Sequence, residues 1–289
     1  MIYYLPNISS DAAGFGELAA LSTRTLADAS SHLEINLSRL GWFEANMAAP
    51  LGMVLNSLTS ALKVVSIVDV PVPTEAILRR NGLLVAYGYP PATTKSRTAL
   101  PYQRFKLQDS ALFAQYLQVN LPGKGIPTMS TGLGKLFQQS LYEVFENAIF
   151  HSGSSIGVFV CGQFFPLKQR VDITIADAGI TIPRKVNEAF GWNLSATDAL
   201  AWALKEGSTT KREGKPGGVG LKLLRDFVAL NKGRLQIASG GAYWEFNAGR
   251  RLIQSLSCPF PGTVINLEVD TSDNKSYRLA NEVSPESIF

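Results

Sequence analysis

The chain has 289 residues, and because domains are typically about 100 to 200 residues long, it has room for one large or two ordinary domains. Hydrophobic residues make up 46% and charged residues only 17%, a balance that excludes a disordered chain and a coiled coil. The net charge of +4 is small and no Lys- or Arg-rich run occurs, so composition does not favour nucleic-acid binding.

Targeting and metal-binding signals are also missing from the sequence. The first ten residues, MIYYLPNISS, lack the charged and apolar regions of a signal peptide, and no run reaches the ~18 apolar residues of a membrane span. We therefore expect a cytoplasmic protein with no membrane partner. Two isolated cysteines and two histidines exclude a histidine-rich zinc site. Any catalysis must come from carboxylates, amides, the backbone or a bound nucleotide.

The first 90 or so residues alternate between short strands and helices. Apolar or alternating runs predict strands over residues 2–5, 32–37, 64–70 and 83–87. Helical spacing predicts helices over residues 11–29, 44–62 and 74–81. This order favours a small α/β unit, with a mixed or parallel sheet and helices packed on it.

Residues 33–84 contain a strand, then LGWFEANMAAPLGMVL leading into a helix, a second strand, and a short helix ending in RRNGLL. This segment resembles the STAS-like domains of bacterial regulators. Those STAS domains that are phosphorylated carry a Ser or Thr at the start of the helix, whereas residues 46–50 here read NMAAP. The resemblance therefore implies partner binding or dimerisation rather than phosphate acceptance.

Residues 88–103, GYPPATTKSRTALPYQ, are rich in Pro, Thr and Ser, a composition typical of a linker. We place a domain boundary in this stretch. The prediction is a small α/β partner-binding domain over residues 1–95 and a second domain over residues 96–289.

The next prominent feature is a helix over residues 131–152, whose apolar residues recur at helical spacing. Gln139, Glu143, Asn147 and His151 follow four residues apart and form a separate polar stripe. An ordinary solvated helix face gives the same pattern. The stripe, however, places a carboxylate and a carboxamide one turn apart, and such a pair suits a magnesium–nucleotide site.

Downstream, VDITIADAGI at residues 171–180 is an alternating strand that runs into Asp177 and Gly179. A simple turn would explain this D-x-G sequence. An Asp at the base of a pocket can also accept a hydrogen bond from the exocyclic amine of a purine. The following glycine would then let the backbone approach the ring.

Three glycines, Gly217, Gly218 and Gly220, precede an amphipathic helix. Backbone amides at a helix start attract phosphates, although Gly-rich loops are common. The sequence has neither the GK[ST] of a Walker A loop nor the spacing of a dinucleotide fingerprint. Further on, Thr263 opens the alternating strand PGTVINLEV, a position at which Thr is usually structural.

Taken in order, E-x-x-x-N-A-x-x-H-S, D-x-G, G-x-G-L and G-T resemble the four boxes of the GHKL, or Bergerat-fold, ATP-binding superfamily, over residues 100–270. The resemblance implies an α+β two-layer sandwich that binds ATP and Mg²⁺. It implies that Asn147 coordinates the magnesium ion, that Glu143 is the general base, and that Asp177 binds the adenine amine.

The remaining boxes imply further nucleotide contacts. Gly179 would pack near the adenine base, and Thr263 would support the base through Asp177 or a bridging water. The phosphates would meet the backbone of Gly218, Gly220 and Leu221.

His151 matches a histidine found near the nucleotide in anti-sigma-factor kinases, where it would contact the ribose or phosphates; a buried structural role is the alternative. Residues 180–217 correspond to the mobile ATP lid of these folds, with a helix predicted over residues 195–206 and a polar loop after it. Lys211, Arg212 and Lys215 could close on the triphosphate, with Lys211 and Lys215 as the preferred candidates. A solvated charged loop is the alternative for each of them.

The sequence also favours some branches of the superfamily over others. His32 lacks the acidic neighbour and downstream proline of a phospho-accepting histidine, which argues against a histidine kinase. Too few residues follow Thr263 for the transducer domain of a gyrase-like ATPase. We expect a regulatory Mg-ATP-binding protein that hydrolyses ATP slowly and controls a protein partner through lid closure. A homodimer is a further option for its assembly.

Three alternatives remain open at this stage. The first is a Ser/Thr protein kinase of the anti-sigma-factor, partner-switching type, because the same base can deprotonate a protein hydroxyl. The second is a non-catalytic interaction protein with ATP as a fixed ligand. The third and weakest is nucleic-acid binding.

Overall fold

The computed structural model of the chain describes residues 1–94, 96–205, 207, 208, 210 and 219–282, with the backbone alone at residues 151, 219 and 281. These residues form helices, a parallel sheet and an antiparallel sheet, which confirms the predicted α+β class. No helix within these ranges is long and apolar enough to cross a membrane.

The first sheet has three parallel strands in the order β1-β2-β3: Ile2–Tyr4, His32–Asn36 and Val64–Val68. Helix α1 (Ala12–Ala27) connects the first pair, and a 3₁₀ turn (Ala45–Met47) and helix α2 (Ala48–Ser60) connect the second. Helix α3 (Val72–Asn81) follows β3. Parallel neighbours require such helical crossovers, so the predicted order of elements led to the correct type of sheet.

The fourth strand predicted in this region, over residues 83–87, is wrong, because Leu84–Tyr87 form a 3₁₀ turn. Two glycines with positive φ, Gly82 at 95° and Gly88 at 87°, flank the turn and reverse the backbone. The Asn81 carboxamide also accepts the Leu83 N–H at 3.0 Å. The apolar run therefore packs as a turn rather than as a strand.

The second sheet has five antiparallel strands in the order β4-β5-β6-β8-β7. Their bounds are Ala99–Phe105 for β4, Val158–Phe165 for β5, Arg170–Asp177 for β6, Arg234–Asn247 for β7 and Arg250–Asp270 for β8. Strand β4 occupies the end of the predicted linker, so the linker is shorter than the composition indicated.

The strand-like sequences GRLQIASG, at residues 233–240, and AYWEFN, at residues 242–247, predict the two strands of a hairpin. This prediction is wrong, because both sequences belong to the single strand β7. The pairing register with β8 shifts on both sides of Gly240, which bends the strand without ending it. The hairpin turn lies further on, between β7 and β8.

Five helices accompany the second sheet: α4 (Ser110–Asn120), α5 (Thr131–Glu146), α6 (Ile182–Phe190), α7 (Ala196–Ala203) and α8 (Val219–Asn231). Helix α5 continues into one π-helical turn, Asn147–His151. Its predicted apolar face packs with residues of α4, α8 and the sheet in one hydrophobic cluster.

The other face of the same sheet is covered by the N-terminal unit. Apolar residues of α1 and α2 share a second hydrophobic cluster with Phe159, Tyr243 and Phe260 of the sheet. Residues 46–50, which the sequence analysis compared with the phosphoacceptor segment of STAS domains, are all buried; the STAS-like resemblance stays a prediction. The division into domains at residue 95 stays a prediction.

Polar side chains also cross this interlayer contact. The Asn46 amide nitrogen lies within hydrogen-bonding distance of Ser10 Oγ, Thr174 Oγ1 and Asn266 Oδ1, at 2.8, 3.0 and 3.2 Å. Gln236 of β7 donates to the Ser10 carbonyl at 2.7 Å. Buried polar groups are stable only when paired, so these bonds fix how the N-terminal unit is placed on the sheet.

Asp172 of β6 is a carboxyl group in this interface whose burial is poorly compensated by its neighbours. It is completely buried, and neither carboxylate oxygen has a hydrogen-bond partner among the described residues. Its cation Arg170, at 3.3 Å, also contacts Glu44 at 2.5 Å and Glu268 at 3.0 Å. Burial raises the pKa of Asp172 well above its usual value, and the lowering effect of Arg170 and Arg234 does not offset it.

We predict that Asp172→Asn makes the stability of the protein less dependent on pH. The raised pKa of Asp172 in the folded state means that its neutral form favours folding. This contribution to the free energy of unfolding is complete below the ordinary pKa of 3.8 and is lost as pH rises through the folded-state pKa. An asparagine does not ionise, so urea unfolding near pH 8 should show the variant equal to the wild type or more stable, by up to roughly 2 kcal/mol. Asp226→Asn on the exposed surface of α8 is the control, and equal pH slopes for Asp172→Asn and wild type would contradict the prediction.

Candidate functional site

The helix that carries the polar stripe ends at an irregular turn. Ser130 begins α5 by accepting the Leu133 N–H at 3.2 Å, and the helix keeps its α geometry up to Glu146. The π turn that follows begins at Asn147. Single π turns inside helices occur frequently at functional sites, because the extra residue redirects the side chains around it.

Beside this turn lies a cavity of about 210 Å³, between the sheet and helices α5 to α8. Four predicted site residues line it together, although they come from four separate segments: Asn147, Asp177, Leu221 and Thr263. The rest of the lining is mainly apolar and includes Val144, Ala148, Ile175, Ile180, Ile182, Val186, Trp202 and Ile265. An apolar cleft with a few convergent polar groups is the usual form of a small-molecule site.

Asp177 is the buried carboxylate of the cavity. It ends β6, is only 3% exposed, and accepts the Gly179 N–H through Oδ1 at 2.9 Å. Burial raises the pKa of Asp177 to about 7, although the Gly179 amide and the Lys185 ammonium act in the opposite direction. A carboxyl group poised near neutral pH in a cavity is characteristic of a binding or catalytic site.

Thr263 lies next to Asp177 because the β6–β8 register pairs the two residues directly. The β7–β8 register also pairs Thr263 with Ser239, and the two hydroxyl oxygens are 2.8 Å apart. Ser239 Oγ accepts the Ile182 N–H at 2.8 Å, which attaches the start of α6 to the sheet. A polar row therefore crosses three strands, and Ser239 is a member of it that the sequence analysis missed.

Gly179 is required by a close approach of two segments. The Ile180 N–H donates to the carbonyl of Ser152, the residue that follows the π turn, at 2.6 Å. A Cβ on Gly179 would overlap the same carbonyl oxygen. The D-x-G sequence therefore connects β6 to the end of the α5 helix; its contact with an adenine base stays a prediction.

Glu143 and Gly220 contact each other next to two residues that line the cavity, Val144 and Leu221. The Gly220 N–H, in the first turn of α8, donates to Glu143 Oε2 at 2.8 Å. A Cβ on Gly220 would lie 2.7 Å from that oxygen and 3.1 Å from the Glu143 Cβ, so a larger residue at position 220 would displace the carboxylate. The structure thus brings together two residues that the sequence analysis assigned to separate roles.

The cavity also has polar residues that the sequence analysis did not single out. Lys185 of α6 lines it and acts on the Asp177 carboxyl, and Ser208 and Thr210 complete the side next to α7. No motif marks these positions; only the folding of α6 and α7 over the sheet brings them there.

Several predicted site residues cannot be placed. Lys211, Lys215 and Gly218 lie outside the described residues, and at His151 only the backbone is described. Among the side chains that are described, no group of three or more His, Cys, Asp or Glu could hold a metal. A magnesium ion at Asn147 would therefore need phosphate and water oxygens as its other ligands, which is how Mg²⁺ is usually bound at nucleotide sites.

No protein-family profile and no curated protein matches the sequence. Among solved structures, the chain is similar to the histidine kinase domain of a blue-light activated histidine kinase from Erythrobacter litoralis. The identity is 13%, the match covers 90% of this chain and 94% of that chain, and the TM-score is 0.29. A TM-score of this size does not establish a shared fold.

We predict that Gly179→Ala destabilises the protein by about 2 kcal/mol or more, because the new methyl group meets a backbone carbonyl that cannot move freely. Gly16→Ala is the matched control, since a Cβ there meets nothing within 4 Å and alanine favours helix α1. Thermal unfolding of both variants tests the prediction. Equal melting temperatures would show that the contact between the π turn and the end of β6 is not tight.

Proposed function

We propose that this protein is a regulatory Mg-ATP-binding protein with slow ATP hydrolysis, in which closure of the ATP lid controls a protein partner. The main support is the convergence of Asn147, Asp177, Leu221 and Thr263 on one apolar cavity. A composition without clustered histidines or cysteines is compatible with this chemistry, because the proposed site needs only a Glu, an Asn, an Asp and backbone amides.

Each group has a defined role in this proposal. Asp177 accepts a hydrogen bond from the adenine amine at the closed end of the cavity, with Thr263 beside it. Asn147 offers a neutral oxygen to Mg²⁺ at the exposed side. The α8 amides of Gly220 and Leu221 receive phosphate oxygens, since a helix N-terminus favours anions. Glu143, at the edge between α5 and α8, is the base.

Control of a partner is the second part of the proposal. The lining of the cavity includes three residues on and just after α7: Trp202, Ser208 and Thr210. A ligand in the cavity would therefore contact the segment that we expect to act as a lid. The lid continues toward Lys211 and Lys215. When a ligand contacts such a segment in only one of the segment's positions, it shifts the equilibrium between the positions toward that one.

We predict that ATP binding measured by calorimetry weakens about tenfold to a hundredfold in Asp177→Asn, because a charge-assisted hydrogen bond to the base is lost. The ionised carboxylate is the form that binds the amine. Affinity of the wild type should therefore fall as pH decreases below about 7, where Asp177 takes up a proton, and level off at higher pH.

Asp226→Asn, which removes an exposed carboxylate from α8, is the matched control and should bind ATP like the wild type. Absence of an ATP signal in the wild type, or equal affinity in Asp177→Asn, would disprove the proposed nucleotide site.

We further predict that Asn147→Ala lowers affinity for ATP several-fold in the presence of Mg²⁺ but not in EDTA, because the lost carboxamide oxygen acts on the metal alone. Gln139→Ala, on the same exposed stripe but two turns away, is the control. The measurement is the ATP dissociation constant with and without the metal. An equal loss in EDTA would show that Asn147 contacts the nucleotide rather than the metal.

The fate of the γ-phosphate separates the proposed activity from its alternatives. Slow release of inorganic phosphate, reduced in Glu143→Ala, is the result expected for a hydrolytic switch. Labelled phosphate on a protein partner would indicate the Ser/Thr kinase instead. Tight binding with no turnover would indicate ATP as a fixed ligand of an interaction protein.

A further inference from the structure

The contact between Glu143 and Gly220 assigns a further role to the Glu143 carboxylate. The first four N–H groups of an α-helix have no partner within the helix, and they carry the positive end of its dipole. The Gly220 N–H lies in the first described turn of helix α8 (Val219–Asn231) and donates to Glu143 Oε2 at 2.8 Å, so this amide has its partner on α5. The Glu143 carboxylate of α5 therefore already accepts the N–H that would otherwise bind an anion.

Packing of the two helices holds the carboxylate in this position. Below the contact, the Phe137 and Phe227 rings meet with their centroids 5.2 Å apart in the buried core. At the contact itself, the carboxylate lies so close to Gly220 that a methyl group on this residue would displace it. The distance between α5 and α8 is thus set by apolar packing, and the carboxylate is in reach of the amide without any movement of the backbone.

The contact also lies at the edge of the cavity. Val144 and Leu221, the residues that follow Glu143 and Gly220 in the chain, both line it. Under the proposed function a phosphate group of the bound nucleotide reaches this helix terminus, and a phosphate and the Glu143 carboxylate cannot accept the same N–H in the same place.

We infer that Glu143 occupies the phosphate position at the start of α8 in the nucleotide-free protein, and that nucleotide binding must displace it. This inference rests on the proposed function for the identity of the ligand, but not for the contact itself. Two consequences follow from it. The carboxylate competes with phosphate groups and lowers their affinity, and it becomes free to act as a base only when a phosphate has taken its place on the amide.

The competition is specific for the phosphate end of the ligand. Removal of the carboxylate in Glu143→Ala should strengthen binding of ATP and ADP about tenfold, the usual strength of a hydrogen bond to a charged group, when binding is measured in EDTA. Binding of adenosine should not change, because adenosine has no group that reaches α8. Glu143→Gln, which keeps the shape but not the charge, should give a smaller increase in the same direction.

The matched control is Glu146→Gln, which removes the same charge from α5 one turn further along. If general electrostatic repulsion limits ATP binding, this variant will strengthen it as well. If competition for the Gly220 amide limits it, Glu146→Gln will bind ATP like the wild type.

A measurement without nucleotide tests the contact directly. The amide proton resonance of Gly220, assigned by NMR, should move upfield in Glu143→Ala because a charge-assisted hydrogen bond is lost, and should stay in place in Glu146→Gln. An unchanged Gly220 resonance in Glu143→Ala would overturn the inference. The inference would also be overturned if the Gly220 resonance moved upfield as expected in a folded Glu143→Ala protein but the affinity of that protein for ATP stayed the same or fell. If the resonance moves but neither ATP nor adenosine binds to any of the proteins, the proposed function fails and the inferred competition with a nucleotide fails with it, while the contact stands.

Discussion

The alternation of side chains along β6 connects the cavity to the N-terminal layer. Successive residues of a strand point to opposite faces of a sheet. In β6 this places Ile175 and Asp177 toward the helices and the cavity, and Arg170, Asp172 and Thr174 toward the N-terminal unit. The strand lies at the centre of the five-stranded sheet, so neither set of contacts can be moved along the strand without moving the other.

This arrangement determines which surfaces of residues 1–94 are buried and which are exposed. Helices α1 and α2 bury one face of the five-stranded sheet, and residues 46–50 are buried with them. Three apolar side chains of the parallel sheet, Ile2, Tyr4 and Val64, are exposed, whereas sheets of this kind are usually covered on both faces.

The fold could be predicted from the sequence wherever local periodicity and tertiary packing agree. The apolar stripe of α5 and the alternation of β6 are long enough to identify a helix and a strand without knowledge of their neighbours. Residues 83–87 lack this length, and the positive φ of Gly82 and Gly88 decided their conformation. The continuity of β7 through Gly240 was missed because a glycine that bends a strand and a glycine that ends one are alike in sequence.

The candidate site was predictable in its residues but not in its contacts. The order of the motifs pointed to Asn147, Asp177 and Thr263, yet only the antiparallel register makes Asp177 and Thr263 direct neighbours, and only that register brings in Ser239. Gly220 shows the same limit most clearly. In the sequence it indicates an amide available to phosphate, whereas in the structure its missing side chain also makes room for a glutamate. The absence of a Cβ lets another group approach the Gly220 amide closely, but the sequence does not say which group, and in the structure it is the Glu143 carboxylate.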